Sequence, residues 1–385
     1  MSLDVECVDD AGRFAALETE WNMLLAAAGE TTSVFLTWEW LHGWWKHFGQ
    51  DLELSILLVR ERGELIAIAP FMRRERSIAG VAFDGLEFLG SGTVGSDYLD
   101  VIVQRDRRVP AVTALADWVD RVSVRLDLAQ LRHGEATAAA LGPALVERGW
   151  RGVEILTDVC PFISLGGQSW SSYLATLGAT HRSNFRRRLR ALTTKFHVTF
   201  ECATTAEERE LAFTQLVSLH RDRWRERGGS DGLGTPALVA FHDEMTELAL
   251  TQGWLRLFVL ALDGEPAASL YGLRHGDVFS FYQSGFDPRF AKLGVGLVTM
   301  GLAIQRAIEE GAREYDFLHG DERYKFLWAR ESRQLSRLEA YPPRARARLV
   351  AGARTAVRAA KRAARRVVRR RGIAKPRRVR QEHLG

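Results

Sequence analysis

Residues 254–310, WLRLFVLALDGEPAASLYGLRHGDVFSFYQSGFDPRFAKLGVGLVTMGLAIQRAIEE, decide how the rest of the chain is read. Apolar runs at 254–262, 267–274 and 278–283 are separated by Asp263-Gly264 and Gly276-Asp277. Both residues of Asp-Gly tolerate the positive φ of a type I′ turn, so the runs are predicted as three strands joined by tight hairpins. Beyond Phe286-Asp287-Pro288 lies a glycine loop, Lys292-Leu293-Gly294-Val295-Gly296. Leu297, Gly301, Ile304 and Ile308 then share one face of a predicted helix, with Gln305, Arg306, Glu309 and Glu310 outside it, and Gly311 stops it.

A short strand is predicted at 314–317, inside the run Asp316-Phe317-Leu318-His319-Gly320-Asp321-Glu322-Arg323-Tyr324-Lys325. A meander that passes through a glycine loop into a helix points to a pocket at the helix start. Amide N–H groups and the positive end of the dipole favour an anion there, and Gly294 and Gly296 put no Cβ in its way. The loop resembles the Gln/Arg-x-x-Gly-x-Gly/Ala signature of the acyl-CoA-binding half of GNAT acyltransferases. Its last two positions fall on Gly294 and Gly296, its first on Ala291, with Arg289 and Lys292 nearby. The run from Asp316 to Lys325 is similar to the Asp-Phe-Leu-Arg-Gly-Asp-Glu-x-Tyr-Lys run of CelD-like acetyltransferases, a GNAT branch related to the Fem-type aminoacyltransferases. His319 stands where that branch has Arg.

The resemblance implies an acyl-CoA co-substrate, acetyl-CoA or another, and no metal. It sets Tyr282, Gln283, Ser284, Lys292, Gly294, Val295, Gly296 and Leu297 against the donor, and Asp316 to Lys325 around the acceptor. Transfer from a thioester needs a polarised carbonyl, a base for the attacking group and a partner for the leaving thiolate. Asp321 is the expected base or water-positioning acid, Tyr324 the proton donor to sulfur and Lys325 an electrostatic stabiliser. His319 competes as base because its ordinary pKa lies nearest neutrality. Without the resemblance, Asp316 and Asp321 read as turn caps and Lys325 as the i+3 partner of Glu322.

At 385 residues with 46% hydrophobic composition, the chain suits two domains. The expected architecture is mixed α/β: a degenerate GNAT-like domain at 1–160, a GNAT-like acyltransferase domain at 161–342, each a mostly antiparallel sheet flanked by helices, and an Arg-rich tail at 343–385. In the first domain helices are predicted at 11–27, 38–48, 109–122 and 136–148, and strands at 52–60, 65–72, 83–89, 98–103, 127–132 and 152–157. Trp38, Leu41, Trp45 and Phe48 repeat at helical spacing, with Trp38 able to wall an acceptor pocket or simply to pack. In the second, one helix is predicted over 170–196, a strand at 198–202, and helices at 206–227 and 236–251. The 170–196 helix holds arginines 182, 186, 187, 188 and 190, more than one face can carry. Arg182 and Arg186, at i and i+4, are candidates to bind an anionic substrate, with solvation as the alternative.

Three scattered cysteines, Cys7, Cys160 and Cys202, form no disulfide or zinc pattern. No apolar run spans a membrane and acids occupy the N-terminus, so a cytoplasmic location is expected. Of the net charge of +5, residues 344–385 supply +15, leaving −10 for the other 343. Such a tail is drawn to an anionic membrane surface at the inner face or to RNA, or stays solvated. Three functions stay open: an acyl-CoA-dependent N- or O-acyltransferase acting on a cell-envelope saccharide or small molecule, a Fem-like transferase using aminoacyl-tRNA, and a non-catalytic scaffold for polysaccharide biosynthesis. Oligomeric state is not legible.

Overall fold

The computed structural model describes residues 3–29, 33–78, 81–92, 94–225 and 232–343. The basic tail, with its membrane and RNA readings, lies outside the described residues. The chain divides into two compact units, one running to Thr157 and resuming at Gln334, the other Asp158–Arg333. Each is mixed α/β, its mostly antiparallel strands flanked by helices.

The first unit opens with an unforeseen strand, Leu3–Val8, which pairs antiparallel with Ile56–Glu61; Glu64–Ala69 and Ile102–Val103 complete a four-stranded sheet. The predicted strand at 65–72 is two strands, Glu64–Ala69 and Phe71–Ile78, in different sheets, because Pro70 between them has no N–H for a ladder. Of the predicted strand at 98–103 only Ile102–Val103 forms, since Tyr98 adopts φ +57°. The second set runs Glu331–Tyr341, Arg125–Arg132, Val81–Phe88, Phe71–Ile78 and Glu53–Leu54, parallel only between the second and third. Its chain-terminal strand, Glu331–Tyr341, lies beside Arg125–Arg132, with Leu338 opposite Leu128 and Ala340 opposite Leu126.

In the second unit the order is Val198–Cys202, Leu255–Leu262, Glu265–His275, Val278–Phe286, Glu314–Asp316 and the end of Arg151–Ser164. Only Val278–Phe286 and Glu314–Asp316 are parallel. Helix Val295–Glu309 buries Leu297, Met300, Ala303, Ile304 and Ala307 in a core that also holds Phe185, Phe279, Phe281, Tyr315, Phe317 and Trp328. Gly301 lets helix Ala179–Lys195 come close: a Cβ there would meet the Phe185 ring, with Cδ2 and Cζ at 2.8 Å. The helix predicted over 170–196 is broken. Trp170–Thr176 ends at Leu177, which turns into the core with ψ 152°, and Gly178 starts Ala179–Lys195 in an extended conformation.

Candidate functional site

Strand Val278–Phe286 pairs with Glu314–Asp316 only over Val278–Ser280. From Phe281 onward that edge of the strand has no ladder partner among the described residues. On its other side the register jumps from Tyr271 opposite Gln283 to Gly272 opposite Phe281, so Tyr282 is the extra residue of a bulge. Two parallel strands that part beside a bulge leave main-chain groups open to a guest. Tyr282 packs on His242, with ring centroids 4.8 Å apart, and on Tyr271 at 5.4 Å. Gln283 turns its Oε1 to the Ser284 amide at 3.0 Å.

Ser284 is gripped by helix Ala206–Arg225. Arg223 donates to its Oγ at 3.3 Å and to its carbonyl at 3.5 Å, and His220 Nδ1 lies 3.3 Å from the same carbonyl. A carbonyl only accepts, so Nδ1 carries the hydrogen and Nε2 the lone pair. Burial above all pushes the His220 pKa down to about 4, so the ring is neutral at pH 7. Arg223, 8% exposed, also lies over the Phe286 ring. The sequence shows His220 and Arg223 at i and i+3 beside buried Leu216 and Leu219, the spacing of one face; the arginine-rich surroundings concealed it.

Past Asp316 the chain makes a constrained loop. Leu318 sits at φ +56°, a conformation that costs a branched side chain about 1–2 kcal/mol, and several bonds hold it there. Asp316 Oδ1 accepts from the Leu318 amide at 2.7 Å while Oδ2 pairs with Arg333 at 3.0 Å. Lys325 Nζ donates to the carbonyls of Leu318 at 3.3 Å and His319 at 2.6 Å and pairs with Glu322 at 3.1 Å. Gly320 donates to the Val159 carbonyl at 2.9 Å. Asp316 and Lys325, both buried, therefore hold the loop, the ammonium donating to two of its carbonyls and pairing with Glu322. Asp321 is exposed and His319 half-buried on this loop. Tyr324 is 8% exposed; burial raises its pKa above the ordinary phenol range, with Lys325 and Arg223 acting the other way.

The third side is the glycine loop. Gly294 has φ +77° and starts helix Val295–Glu309 with no side-chain cap. The amides of Val295, Gly296 and Leu297 meet no acceptor among the described residues, as the first turn of any helix leaves them. Val295 and Leu297 are buried, Gly296 half-buried and Lys292 exposed. Arg289 is committed elsewhere, to Asp287 at 2.8 Å and to Glu265. The arginine that reaches this loop is Arg188, whose Nη1 donates to the Lys292 carbonyl.

Arg182 and Arg186 share an exposed groove of about 770 Å³ along their helix with Arg187, Arg190 and Lys195. Arg182 also donates to the carbonyl of Ala175 at 3.2 Å and lies near those of Leu174 and Leu177, closing the end of the preceding helix. Trp38 belongs to the first unit, where, half-buried, it stacks on His42 at 4.2 Å and donates to the Phe14 carbonyl at 3.0 Å. No group of three or more His, Cys, Asp or Glu suited to a metal occurs among the described residues. No described helix is long and apolar enough to cross a membrane.

Residues 179–326, which lie in the second unit, match the family model of an acetyltransferase (GNAT) domain. Among solved structures, that of FemX superposes with a TM-score of 0.58 at 12% identity, covering 88% of this chain and 97% of that one. A conserved protein of unknown function from Bacteroides thetaiotaomicron gives 0.55 at 11% identity, over 88% of this chain and all of that one. At such identities the likeness is one of fold. No curated protein matches the sequence.

Proposed function

We propose that this protein is an acyl-CoA-dependent N- or O-acyltransferase of the CelD-like kind, moving an acetyl or similar acyl group to an amine or hydroxyl of a cell-envelope saccharide or small molecule. The observation that carries the reading is the parting of strand Val278–Phe286 from Glu314–Asp316 beside the uncapped start of helix Val295–Glu309. A thioester in that gap meets main-chain groups of residues 281–284, and the diphosphate of its carrier meets the amides of 295–297.

In the reaction the acceptor's lone pair forms the new bond to the thioester carbon, the C–S bond breaks, and the acceptor's proton passes to a base. Asp321 and His319 are the loop candidates for that base. Tyr324 keeps its proton at neutral pH, and a phenol with a raised pKa stabilises the departing thiolate as a hydrogen-bond donor; full transfer would run uphill against a thiol near pKa 8.5. Asp316, Lys325 and Arg333 act indirectly by keeping Leu318 and His319 in place.

The test is calorimetric titration of the full chain with acetyl-CoA, then a thiol-release assay with amine and hydroxyl acceptors. Gly296→Glu places a carboxylate among the amides and is expected to weaken CoA by at least about tenfold, 1.4 kcal/mol. A wild-type protein that ignores CoA but binds aminoacyl-tRNA would replace this reading with the Fem-like one.

A further inference from the structure

We propose that Arg188, supplied by the helix before the first strand of the domain, is the cation that grips the donor's diphosphate in place of the Gln or Arg absent at position 291. The inference rests on the acyl-CoA reading above and adds the residue that reads the phosphates. Its first ground is position. Arg188 lies along the glycine loop: a Cβ added to Gly294 would stand 3.2 Å from its Cδ and 3.4 Å from its Nε. Its Nη1 donates to the Lys292 carbonyl, which fixes the guanidinium against the loop that leads into helix Val295–Glu309.

The second ground is what this bond leaves over. A guanidinium has a side-on edge, formed by Nε and one Nη, that matches two oxygens of a phosphate. Anchoring through Nη1 leaves that edge to Nε and Nη2. Nε is shielded from solvent and has no hydrogen-bond partner, and Nη2 has none among the described residues. A shielded donor without an acceptor is a standing cost of about 1–3 kcal/mol, tolerated where an acceptor arrives in function. The third ground is the lack of a rival. Arg289 is bound to Asp287 and Glu265, and residue 291 is alanine, so neither supplies a charge to the loop. An arginine already held in place also binds with less loss of side-chain freedom than an exposed lysine such as Lys292.

The experiment is titration of the full-length wild type, Arg188→Ala and Arg188→Lys with CoA, 3′-dephospho-CoA and pantetheine. Arg188→Ala is expected to bind CoA and 3′-dephospho-CoA roughly 10- to 100-fold more weakly, the span of one charge-assisted contact, and pantetheine as the wild type does. Arg188→Lys, which keeps the charge and loses the fork, is expected to recover only part of that loss and decides the matter if the alanine variant melts early. Equal CoA affinity in all three proteins would overturn the role of Arg188 while leaving the donor reading standing. Wild-type protein with no affinity for CoA would overturn both. Equal weakening toward pantetheine would also overturn it, since that probe has no diphosphate.

Discussion

His220 gives the domain a pH dependence of its own. Its ring is held neutral by burial, with a folded pKa of about 4 against an ordinary 6.5. Between those values the unfolded chain binds a proton that the folded chain refuses, so stability is full above about pH 6.5 and falls as pH drops toward 4, by at most about 3 kcal/mol. His181, also lowered by burial, works in the same direction. The carboxylates whose pKa the fold depresses, such as Glu87 and Asp287, act lower, from about pH 4.5 downward. Buried Asp100, its pKa pushed up to about 6, titrates in the same range with the opposite sign, so the histidine's share is read from the difference between variant and wild type between pH 5 and 7. Urea unfolding of His220→Asn, which keeps a donor for the Ser284 carbonyl, is expected to show a flatter stability-against-pH curve there than the wild type; parallel curves would discard the argument. At this scale the sequence revealed residue types better than their duties. Lys325 pairs with Glu322 as the i+3 spacing suggests, yet its bonds to Leu318 and His319 depend on a positive φ at Leu318 that no local signal announces.

Between elements, the contact that positions the glycine loop is Gly301 against Phe185. Helix Ala179–Lys195 brings Arg188 to Lys292 and packs Leu192 beside Val295 and Val298, so its approach is set by how small residue 301 is. Gly301→Ala gains helix propensity but drives a methyl group into the ring, an overpacking cost of roughly 1–3 kcal/mol. Chemical denaturation is expected to show that loss, and Phe185→Leu in the same chain to return part of it. A Gly301→Ala protein as stable as the wild type would mean the helices do not set each other's distance. The strands at 255–262 and 278–286, the second running three residues past its predicted end, were plain in the sequence because apolar runs and turn residues agree there. The break at Leu177–Gly178 was not, because a lone glycine does not by itself end a long helical pattern, and the burial of Leu177 that acts with it is tertiary. That break directs Arg182 to the carbonyls of the preceding helix, and the face two turns on delivers Arg188.

For the whole chain, the boundaries read from punctuation, near 160 and 342, differ from those the packing draws at Thr157 and Gln334. Pro342-Pro343 marks where composition changes, but strand Glu331–Tyr341 carries the chain back to the first unit and completes it. Pairing partners distant in sequence leave no local trace, which is why the strand's destination was illegible. The consequence is physical. Asp127, 2% exposed, holds Arg125 and Arg337, and Arg125 also lies over the Tyr341 ring at 5.6 Å. A fragment ending at 160 loses Arg337 and Tyr341 together, opens the edge of Arg125–Arg132, and strips cover from Leu126 and Leu128. Removing one partner of a buried ionic group costs about 3–5 kcal/mol, much of the stability of an average domain. Residues 1–160 alone are therefore expected to aggregate or to melt without a cooperative transition. Residues 1–157 joined through a flexible linker of roughly ten residues to 331–343 are expected to elute as a single species and unfold cooperatively, followed by circular dichroism. If the short fragment folds as well as the tethered one, the last strand is an accessory, and the first unit owes its stability to residues 1–160 alone.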